Sequence, residues 1–279
     1  MQGRSNPTVF PAYVLPSGQP LSREFRMHNA MKAKIHRGEV ALGISLMFPC
    51  PQLVEMLAYA GFDWVLIDCE HGSIGPADIE VMSMAADASG ITAIARPRSN
   101  AAADIQAVLD RGVKGVQIPH INTRADAERA VAAVKFGPGA GRGLAAGTRP
   151  DRWGLGTRMP DFAAQANAQS LVCVQIEHQE AVANVEDILK VDGIDVFFIG
   201  PSDLSQSMGY PGNPKAPPVA EAIERTLAKI RTAGKAPGMP ATTESLSWVT
   251  GQGCRYVYNH LPRILDAGAR GFLAAAGMK

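Results

Sequence analysis

The sequence predicts a single (β/α)₈ barrel, and three observations support this prediction. Short apolar, β-branched runs alternate with amphipathic helical segments along most of the 279 residues. Several of the runs are apolar on both faces, as parallel strands covered by helices are. Eight such runs follow one another, which is the number of strands in a closed α/β barrel.

The predicted strands occur at intervals along the chain between residues 41 and 260. They are ALGISLM (41–47), WVLIDC (64–69), TAIARP (92–97), GVQIPH (115–120), LVCVQIE (171–177), VFFIG (196–200), APGMPA (236–241) and RYVYNH (255–260). An open doubly wound sheet is the alternative fold, and it would need a glycine-rich phosphate-binding turn after its first strand. The segment LMFPCPQ has no such turn, so the closed barrel is favoured.

Residues that start or stop helices mark the segments between the strands. Starts are predicted at Pro76, Thr123 and Pro218, and stops at Gly38, Gly90, Gly137 and Gly234. Residues 1–24 are rich in Pro, Ser and Gly and have no periodicity, so they predict an extended N-terminal arm. The barrel domain is expected to cover residues 25–279.

Composition argues against several classes of partner. The formal net charge is +1, which gives no reason to expect nucleic acid or a membrane surface as a partner. The N-terminus lacks the apolar core of a signal peptide. The four cysteines form no C-x-x-C pair, so neither a cysteine zinc site nor a disulfide framework is expected. These features predict a cytoplasmic protein.

Polar residues follow four of the predicted strands at their carboxyl ends, where barrel enzymes place their catalytic groups. The segments are Asp68-Cys69-Glu70-His71-Gly72, Arg96-Pro97, Gln175-Ile176-Glu177 and Gly200-Pro201-Ser202-Asp203. The opposite strand ends carry mostly glycine and ordinary surface residues. This asymmetry predicts an active site at the carboxyl end of the barrel.

Two carboxylates in these segments, Glu177 and Asp203, suit a divalent cation that prefers oxygen ligands. Mg²⁺ or Mn²⁺ would bind both, with water and substrate oxygens completing the coordination. The alternative is structural, with Asp203 capping a helix and Glu177 in a salt bridge.

His71 and Arg96 are the other candidates for chemistry. His71 is the natural proton carrier, because the ordinary histidine pKa lies near neutrality; the alternative is a hydrogen-bonded loop histidine. Arg96 would contact an anionic substrate or a developing oxyanion, or else pair with a structural carboxylate. The Gly200–Asp203 turn could receive a substrate carboxylate on its backbone N–H groups, although a helix cap alone would have the same sequence.

Five segments together resemble the HpcH/HpaI aldolases, a family of metal-dependent class II pyruvate aldolases. They are FDWVLIDCEHG, IARP, VLDRG, VQIE and FIGPSDLSQSMGYPGNP. The resemblance extends from about Ala33 to the C-terminus. It implies reversible cleavage of a 4-hydroxy-2-oxo acid to pyruvate and an aldehyde, with Mg²⁺, Mn²⁺ or Co²⁺ as cofactor. It also implies a homohexamer built as a trimer of dimers, with sites near the subunit borders.

The resemblance assigns roles residue by residue. Glu177 and Asp203 match the metal ligands, His71 the acid/base residue, Asp110 the carboxylate that orients this histidine, and Arg96 the arginine that steadies the enolate and aldehyde oxygens. The turn formed by Gly200, Pro201, Ser202 and Asp203 matches the cradle of the pyruvate carboxylate. Gln175 and Asp68 match residues that line the site.

Two segments depart from the family pattern where the aldehyde is expected to bind. They are Asn259-His260-Leu261-Pro262 after the last strand and Leu144-Ala145-Ala146-Gly147 after Arg142-Gly143. His260 is either a substrate contact or a buried structural histidine. The departures leave the aldehyde unidentified.

Three other functions are considered beside the metal-dependent aldolase. A Schiff-base aldolase would need a lysine inside a strand, and WVLIDC, VCVQIE and VFFIG contain none. An acyl-CoA ester lyase of the wider superfamily would need a basic CoA-binding surface, which the sequence does not suggest. A catalytically silent barrel would have no need of the residues assigned above.

Overall fold

A computed structural model describes residues 27–155 and 157–277, which contain a closed barrel of parallel strands. The strands are β1 (Ala41–Leu46), β2 (Trp64–Asp68), β3 (Thr92–Arg96), β4 (Gly115–Ile118), β5 (Leu171–Ile176), β6 (Val196–Ile199), β7 (Ala236–Pro240) and β8 (Tyr256–His260). Each pairs in parallel with the next, and β8 pairs with β1 to close the barrel. The predicted fold class is confirmed. The predicted arm, residues 1–24, lies outside the described residues.

Helices connect successive strands and cover the outside of the barrel, with one further helix before β1 and one after β8. They are α1 (Ala30–His36), α2 (Pro51–Tyr59), α3 (Pro76–Ser89), α4 (Ala102–Leu109), α5 (Arg124–Val134), α6 (Met159–Gln169), α7 (Gln179–Ala183), α8 (Val185–Ile188), α9 (Pro201–Ser207), α10 (Pro217–Thr232), α11 (Leu246–Gly251) and α12 (Leu261–Ala275), with a 3₁₀ turn at Arg149–Gly154. Thr123 caps α5 by accepting the Asp126 N–H, and Gly90 ends α3 with a φ of 79°. Helix α10 begins one residue before Pro218.

Side chains on alternate strand positions fill the barrel interior, because successive residues of a strand point to opposite faces. The rings of Trp64 and Tyr256 lie 4.1 Å apart between centroids. Gly43 makes room for them, since a Cβ at this position would lie 2.4 Å from the Trp64 ring. Met31 and Ile35 of α1 belong to the same buried cluster. Helix α1 therefore closes the amino end of the barrel, and the carboxyl end is left for the site.

Helix α12 follows β8 but buries none of its residues. Its apolar side chains are exposed, with Leu265 at 68% and Phe272 at 79% of their full accessible surface. Within the described part of the chain, no helix combines the length and the apolar character needed to cross a membrane.

Candidate active site

At the carboxyl end of several strands, the residue that points into the barrel is polar. The interior residues nearer the amino end are aromatic. The ring of polar side chains comprises Asp68, Arg96, Gln117 and Gln175, all of them buried. The structure therefore brings together the predicted residues from the ends of β2, β3 and β5. Gln117 of β4 was not predicted, although a polar residue within the apolar run GVQI indicated it.

Arg96 and Asp68 form a buried pair at the centre of this ring. The Arg96 Nε donates to Asp68 Oδ1 at 3.0 Å, and Nη2 donates to Oδ2 at 2.5 Å. Burial by itself would lower the pKa of the Arg96 guanidinium, but the hydrogen bonds that it donates to Asp68 and the charges of Asp68 and Glu70 raise the pKa above its usual value. The structural carboxylate considered as the alternative partner of Arg96 is thus present, and it is Asp68.

Asp68 positions the site rather than contacting a substrate. Its side chain has no exposed surface, and Oδ1 also accepts the backbone N–H groups of Glu70 and His71, at 3.1 and 3.3 Å. The carboxylate therefore fixes both the guanidinium and the loop that carries His71. A direct lining role for Asp68, expected from the resemblance, does not fit a side chain that is covered on all sides.

Glu70 connects the loop after β2 with three basic side chains. Its carboxylate lies 3.1 Å from Arg96 Nη1, 3.1 Å from His120 Nε2 and 3.7 Å from His71 Nε2. His71 is 53% exposed, so its imidazole is open to solvent and to a ligand. Glu70 and His120 were not assigned roles from the sequence. His120 ends the predicted strand GVQIPH, and the rule that located the other strand-end residues applies to it equally.

Glu177 is held by a chain of amide hydrogen bonds that crosses the barrel. Gln117 donates to Gln175 Oε1, and Gln175 Nε2 donates to Glu177 Oε2 at 2.5 Å. The other carboxylate oxygen accepts the His120 backbone N–H at 2.8 Å, and His120 adopts a left-handed φ of 58°. Gln175 is 1% exposed, and its hydrogen bond fixes the orientation of the Glu177 carboxylate.

The turn after β6 approaches Glu177 closely. A Cβ at Gly200 would lie 2.9 Å from Glu177 Cβ and 3.0 Å from Oε2, so only glycine allows this approach without a shift. Helix α9 begins at Pro201, and its first turn includes the N–H groups of Ser202 and Asp203, which have no partner within the helix. Pro201 has no N–H to offer. Ser202 and Asp203 are exposed, so the cradle predicted for a carboxylate is accessible.

The carboxylates around Glu177 fit a divalent cation. Burial raises the pKa of Glu177, and the negative charges of Glu70 and Asp203 raise it further, against the opposing hydrogen bond from His120. A cation between Glu177 and Asp203 would offset this repulsion. In residues 27–155 and 157–277, no three His, Cys, Asp or Glu side chains form a metal-holding group by themselves. Two carboxylates leave the other positions of an octahedral cation to water and substrate oxygens.

Asp110 does not orient His71 within one chain. It caps the carboxyl end of α4, and a helix that follows a barrel strand runs back towards the amino ends of the strands. His71 follows the carboxyl end of β2, on the other side of the barrel. The Asp110 carboxylate instead accepts Arg142 Nη2 at 3.1 Å and Gln106 Nε2 at 3.3 Å.

The two segments that depart from the family pattern lie in different places. Arg142 and Leu144 follow α5, so their segment leaves the helix at the amino end of the barrel, where Arg142 stacks on Phe136. The expectation that it faces the aldehyde side is not met within this chain. His260 ends β8 at the carboxyl end, and its ring lies edge-on to Tyr258 at 5.4 Å. Only the segment after β8 thus reaches the site.

Comparison with known proteins agrees with this geometry. Residues 46–245 match the family model described as HpcH/HpaI aldolase/citrate lyase. A hydroxypyruvate/pyruvate aldolase of Sagittula stellata is 37% identical over 218 residues, which cover 78% of this chain and 85% of that protein. A 4-hydroxy-2-oxo-heptane-1,7-dioate aldolase of Salmonella dublin is 40% identical over 222 residues, 79% of this chain and 83% of that protein.

A solved structure agrees in fold over nearly its whole length. The HpcH/HpaI aldolase/citrate lyase family protein of Burkholderia cenocepacia J2315 superposes with a TM-score of 0.84 at 30% identity, covering 89% of this chain and 99% of that chain. The family match spans most of the barrel, including the strand ends that carry His71, Arg96, Glu177 and Asp203. The chain belongs to the HpcH/HpaI aldolase/citrate lyase family and is a carbon–carbon lyase.

Proposed function

We propose that the protein is a metal-dependent aldolase that cleaves 4-hydroxy-2-oxo acids to pyruvate, or a related 2-oxo acid such as hydroxypyruvate, and an aldehyde. The reverse addition uses the same site. The observation that carries the proposal is the buried Glu177 beside the Gly200–Asp203 turn, where carboxylates outnumber the cation Arg96. The aldolases of Sagittula and Salmonella support this reaction over cleavage of an acyl-CoA ester.

Glu177 and Asp203 would hold the divalent cation, for which Mg²⁺, Mn²⁺ and Co²⁺ are the candidates. When bound, the cation supplies Lewis-acid stabilisation of the negative charge that develops on the 2-oxo acid. The N–H groups of Ser202 and Asp203 would receive the carboxylate of the 2-oxo acid. Arg96 Nη1 also faces Gln175 Oε1 at 3.4 Å and the Glu70 carboxylate at 3.1 Å. The N–H groups of Arg96 that these partners and Asp68 leave free would steady an oxygen of the substrate, since a guanidinium has five donors.

His71 is placed to move the proton of the C4 hydroxyl. In cleavage, His71 takes this proton, the C3–C4 bond breaks, and the C4 oxygen becomes the carbonyl oxygen of the aldehyde. The electron pair of the broken bond stays with C3, which then takes up a proton to become the methyl group of pyruvate. The position of His71 supports this role, because its ring is 53% exposed and therefore open to a bound substrate.

Exchange of the pyruvate methyl protons for deuterium tests the proposal without knowledge of the aldehyde. Protein stripped with EDTA should show no exchange by proton NMR, and Mg²⁺, Mn²⁺ or Co²⁺ should restore it. Asp203→Ala should show no exchange with any of the metals. Exchange that persists after stripping, or its absence with every metal in folded protein, would contradict a metal-dependent aldolase.

A homohexamer, a trimer of dimers in the cytoplasm, is the assembly we expect. The exposed apolar face of α12, with Leu265 and Phe272, supports a contact with a second copy of this chain. The free thiols of all four cysteines are consistent with a reducing compartment. Light scattering of the wild type and of Phe272→Asp tests the assembly: the wild type should have six times the chain mass, and the variant a smaller mass.

A further inference from the structure

His120 follows β4 at the carboxyl end of the barrel in a left-handed conformation, with a φ of 58°. This conformation is uncommon outside glycine and is unfavourable for a residue with a Cβ, so it persists only where the surrounding structure holds it. The chain that follows is anchored, because Ile121 is fully buried and the Asn122 carbonyl accepts Asn184 Nδ2 at 3.0 Å. A relaxation of His120 would therefore move the peptide before it.

The peptide before His120 carries the N–H that meets Glu177, and the left-handed conformation gives this residue a second contact with the same carboxylate. The N–H donates to Glu177 Oε1 at 2.8 Å. The imidazole Nδ1 lies 3.7 Å from the same oxygen. Rotation about the N–Cα bond sets the direction of a side chain relative to its own N–H. The position of the imidazole beside Glu177 thus depends on the positive φ.

The other ring nitrogen of His120 faces a second carboxylate. Nε2 lies 3.1 Å from Glu70 Oε1, so the ring stands between Glu70 and Glu177. Two carboxylates so close to one ring repel each other, and an imidazole N–H between them reduces this repulsion. The His120 side chain is 64% exposed, so its replacement opens no cavity in the core. Loss of the ring should act on the two carboxylates and not on the packing.

Glu70 extends this connection to the groups that are expected to act on the substrate. Its other carboxylate oxygen lies 3.1 Å from Arg96 Nη1 and 3.7 Å from His71 Nε2. His120 is therefore the residue through which the strand end of β4 joins Glu177 of β5 to the loop after β2.

We infer that His120 is a positioning residue of the metal site. Its backbone N–H and its imidazole hold the Glu177 carboxylate in the orientation that a cation needs, and the imidazole ties that carboxylate to Glu70. Across the part of the chain that the structure describes, no three His, Cys, Asp or Glu side chains form a metal-holding group, so His120 acts through Glu177. This inference rests on the proposed function, in which Glu177 holds a divalent cation.

The affinity of the full-length protein for Mn²⁺, measured without substrate from the electron paramagnetic resonance of the free ion, tests the role of His120. His120→Gly removes the imidazole and keeps the left-handed conformation, whereas His120→Ala also disfavours that conformation. His120→Ala should weaken Mn²⁺ binding by about tenfold or more, the usual effect of losing a group that orients a metal ligand. His120→Gly should bind about fivefold more tightly than His120→Ala, and less tightly than the wild type.

Trp153 offers a matched control for the backbone change. It is exposed and has a left-handed φ of 60°, in the 3₁₀ turn before α6. Trp153→Gly and Trp153→Ala should both bind Mn²⁺ as the wild type does, and thermal midpoints of all four variants separate folding from binding. Equal Mn²⁺ affinities in His120→Gly and His120→Ala would overturn the role of the backbone. Equal affinities in His120→Gly and the wild type would overturn the role of the imidazole.

A double-mutant cycle tests the connection to Glu70. Glu70→Gln is made in the wild type and in His120→Gly, and Mn²⁺ affinity is compared in the four proteins. If the imidazole links the two carboxylates, the effects of the two substitutions should not multiply, because they break the same contact. Effects that multiply would overturn the connection. Absence of Mn²⁺ binding in the wild type would contradict the metal-dependent aldolase itself, whereas wild-type affinity in every His120 variant would overturn this inference alone.

Discussion

The carboxylate of Asp68 and the guanidinium of Arg96 share two hydrogen bonds, of 3.0 and 2.5 Å, at the carboxyl end of the barrel. Their side chains are 0% and 7% exposed. Paired strands set this contact, because Asp68 of β2 lies directly opposite Arg96 of β3 in the parallel register. Through this pair, the loop that carries His71 is connected to Gln175, whose amide orients Glu177.

Asp68→Asn should destabilise the fold strongly. The substitution removes the negative charge and leaves the buried Arg96 guanidinium without its main partner. Breaking a buried ion pair in this way lowers the free energy of unfolding by about 3–5 kcal/mol. Urea unfolding followed by circular dichroism measures the change. The control is Asp187→Asn, because Asp187 forms an exposed ion pair with Lys190. The urea midpoint of this variant should stay close to that of the wild type. Equal midpoints for the two variants would contradict the importance of the buried pair.

Asp203→Ala should abolish metal-dependent turnover and leave the fold intact. The side chain is exposed, so its loss opens no cavity, yet it removes one of the two expected metal ligands. Calorimetric titration with Mn²⁺ should show loss of binding, and the thermal midpoint should stay near that of the wild type. Asp161→Ala, at another exposed aspartate, should bind Mn²⁺ normally. Retained turnover in Asp203→Ala would remove this residue from the metal site.

Gly200→Ala tests the close approach of the turn to Glu177. The backbone φ of −93° suits alanine, so the effect comes from the new Cβ, which would lie 2.9 Å from Glu177 Cβ. Displacement of Glu177 should weaken Mn²⁺ binding by about tenfold or more. Loss of a group that orients a metal ligand usually has an effect of this size. Gly268→Ala on the exposed α12, where a Cβ meets nothing within 4 Å, is the control. Normal Mn²⁺ affinity in Gly200→Ala would show that metal binding by Glu177 does not depend on the close contact with the Gly200 backbone.

His71→Ala should slow aldol cleavage far more than it weakens pyruvate binding. A general acid or base contributes about 10²–10⁴-fold to a rate, whereas pyruvate itself is held by other groups. Steady-state kcat and the dissociation constant of pyruvate provide the two readouts. His36→Ala is a matched control, since His36 is 55% exposed and His71 53%, and it lies on α1 at the other end of the barrel. Equal losses in kcat and in binding would argue against proton transfer by His71.

His260 should be uncharged at pH 7. Burial lowers the pKa of its imidazole, and the positive charges of Arg263 and Arg96 lower it further. Its contribution to stability is therefore complete above the ordinary histidine pKa of about 6.5, and it is lost as the pH falls through the lowered pKa. NMR titration of the histidine Cε1–H signals should place the pKa of His260 below 6.5. The signal that disappears in His260→Asn is assigned to His260.

The same titration tests whether Arg263 lies near His260. Arg263→Gln removes a positive charge and should raise the pKa of His260, whereas Arg225→Gln, at an exposed arginine of α10 that pairs with Glu221, should not change it. An unchanged pKa in Arg263→Gln would contradict the proximity of Arg263 to His260.

Much of the fold follows from local sequence. The runs WVLIDC and LVCVQIE are apolar on both faces, which identifies them as parallel strands, and β2 and β5 lie within them. Thr123 caps the start of α5 with its hydroxyl, and Gly90 ends α3 in a left-handed conformation. Strand-end polarity also located Arg96, Gln175 and Glu177, because a parallel barrel brings all carboxyl ends to one side. Gln117 and His120, the two polar residues of GVQIPH, satisfy the same rule, and the local pattern of this run does not distinguish a site residue from a structural one.

The sequence by itself determined the barrel, the end that carries the site and the family. Only the tertiary structure decided which side chains meet. It separated Asp110 from His71, because a helix returns the chain to the other end of the barrel, and it covered Asp68 completely, because register places Asp68 against Arg96. It also placed the His120 imidazole between the carboxylates of Glu70 and Glu177. Such contacts join residues far apart in the chain, so their distances depend on how the strands close around the axis and not on any local pattern.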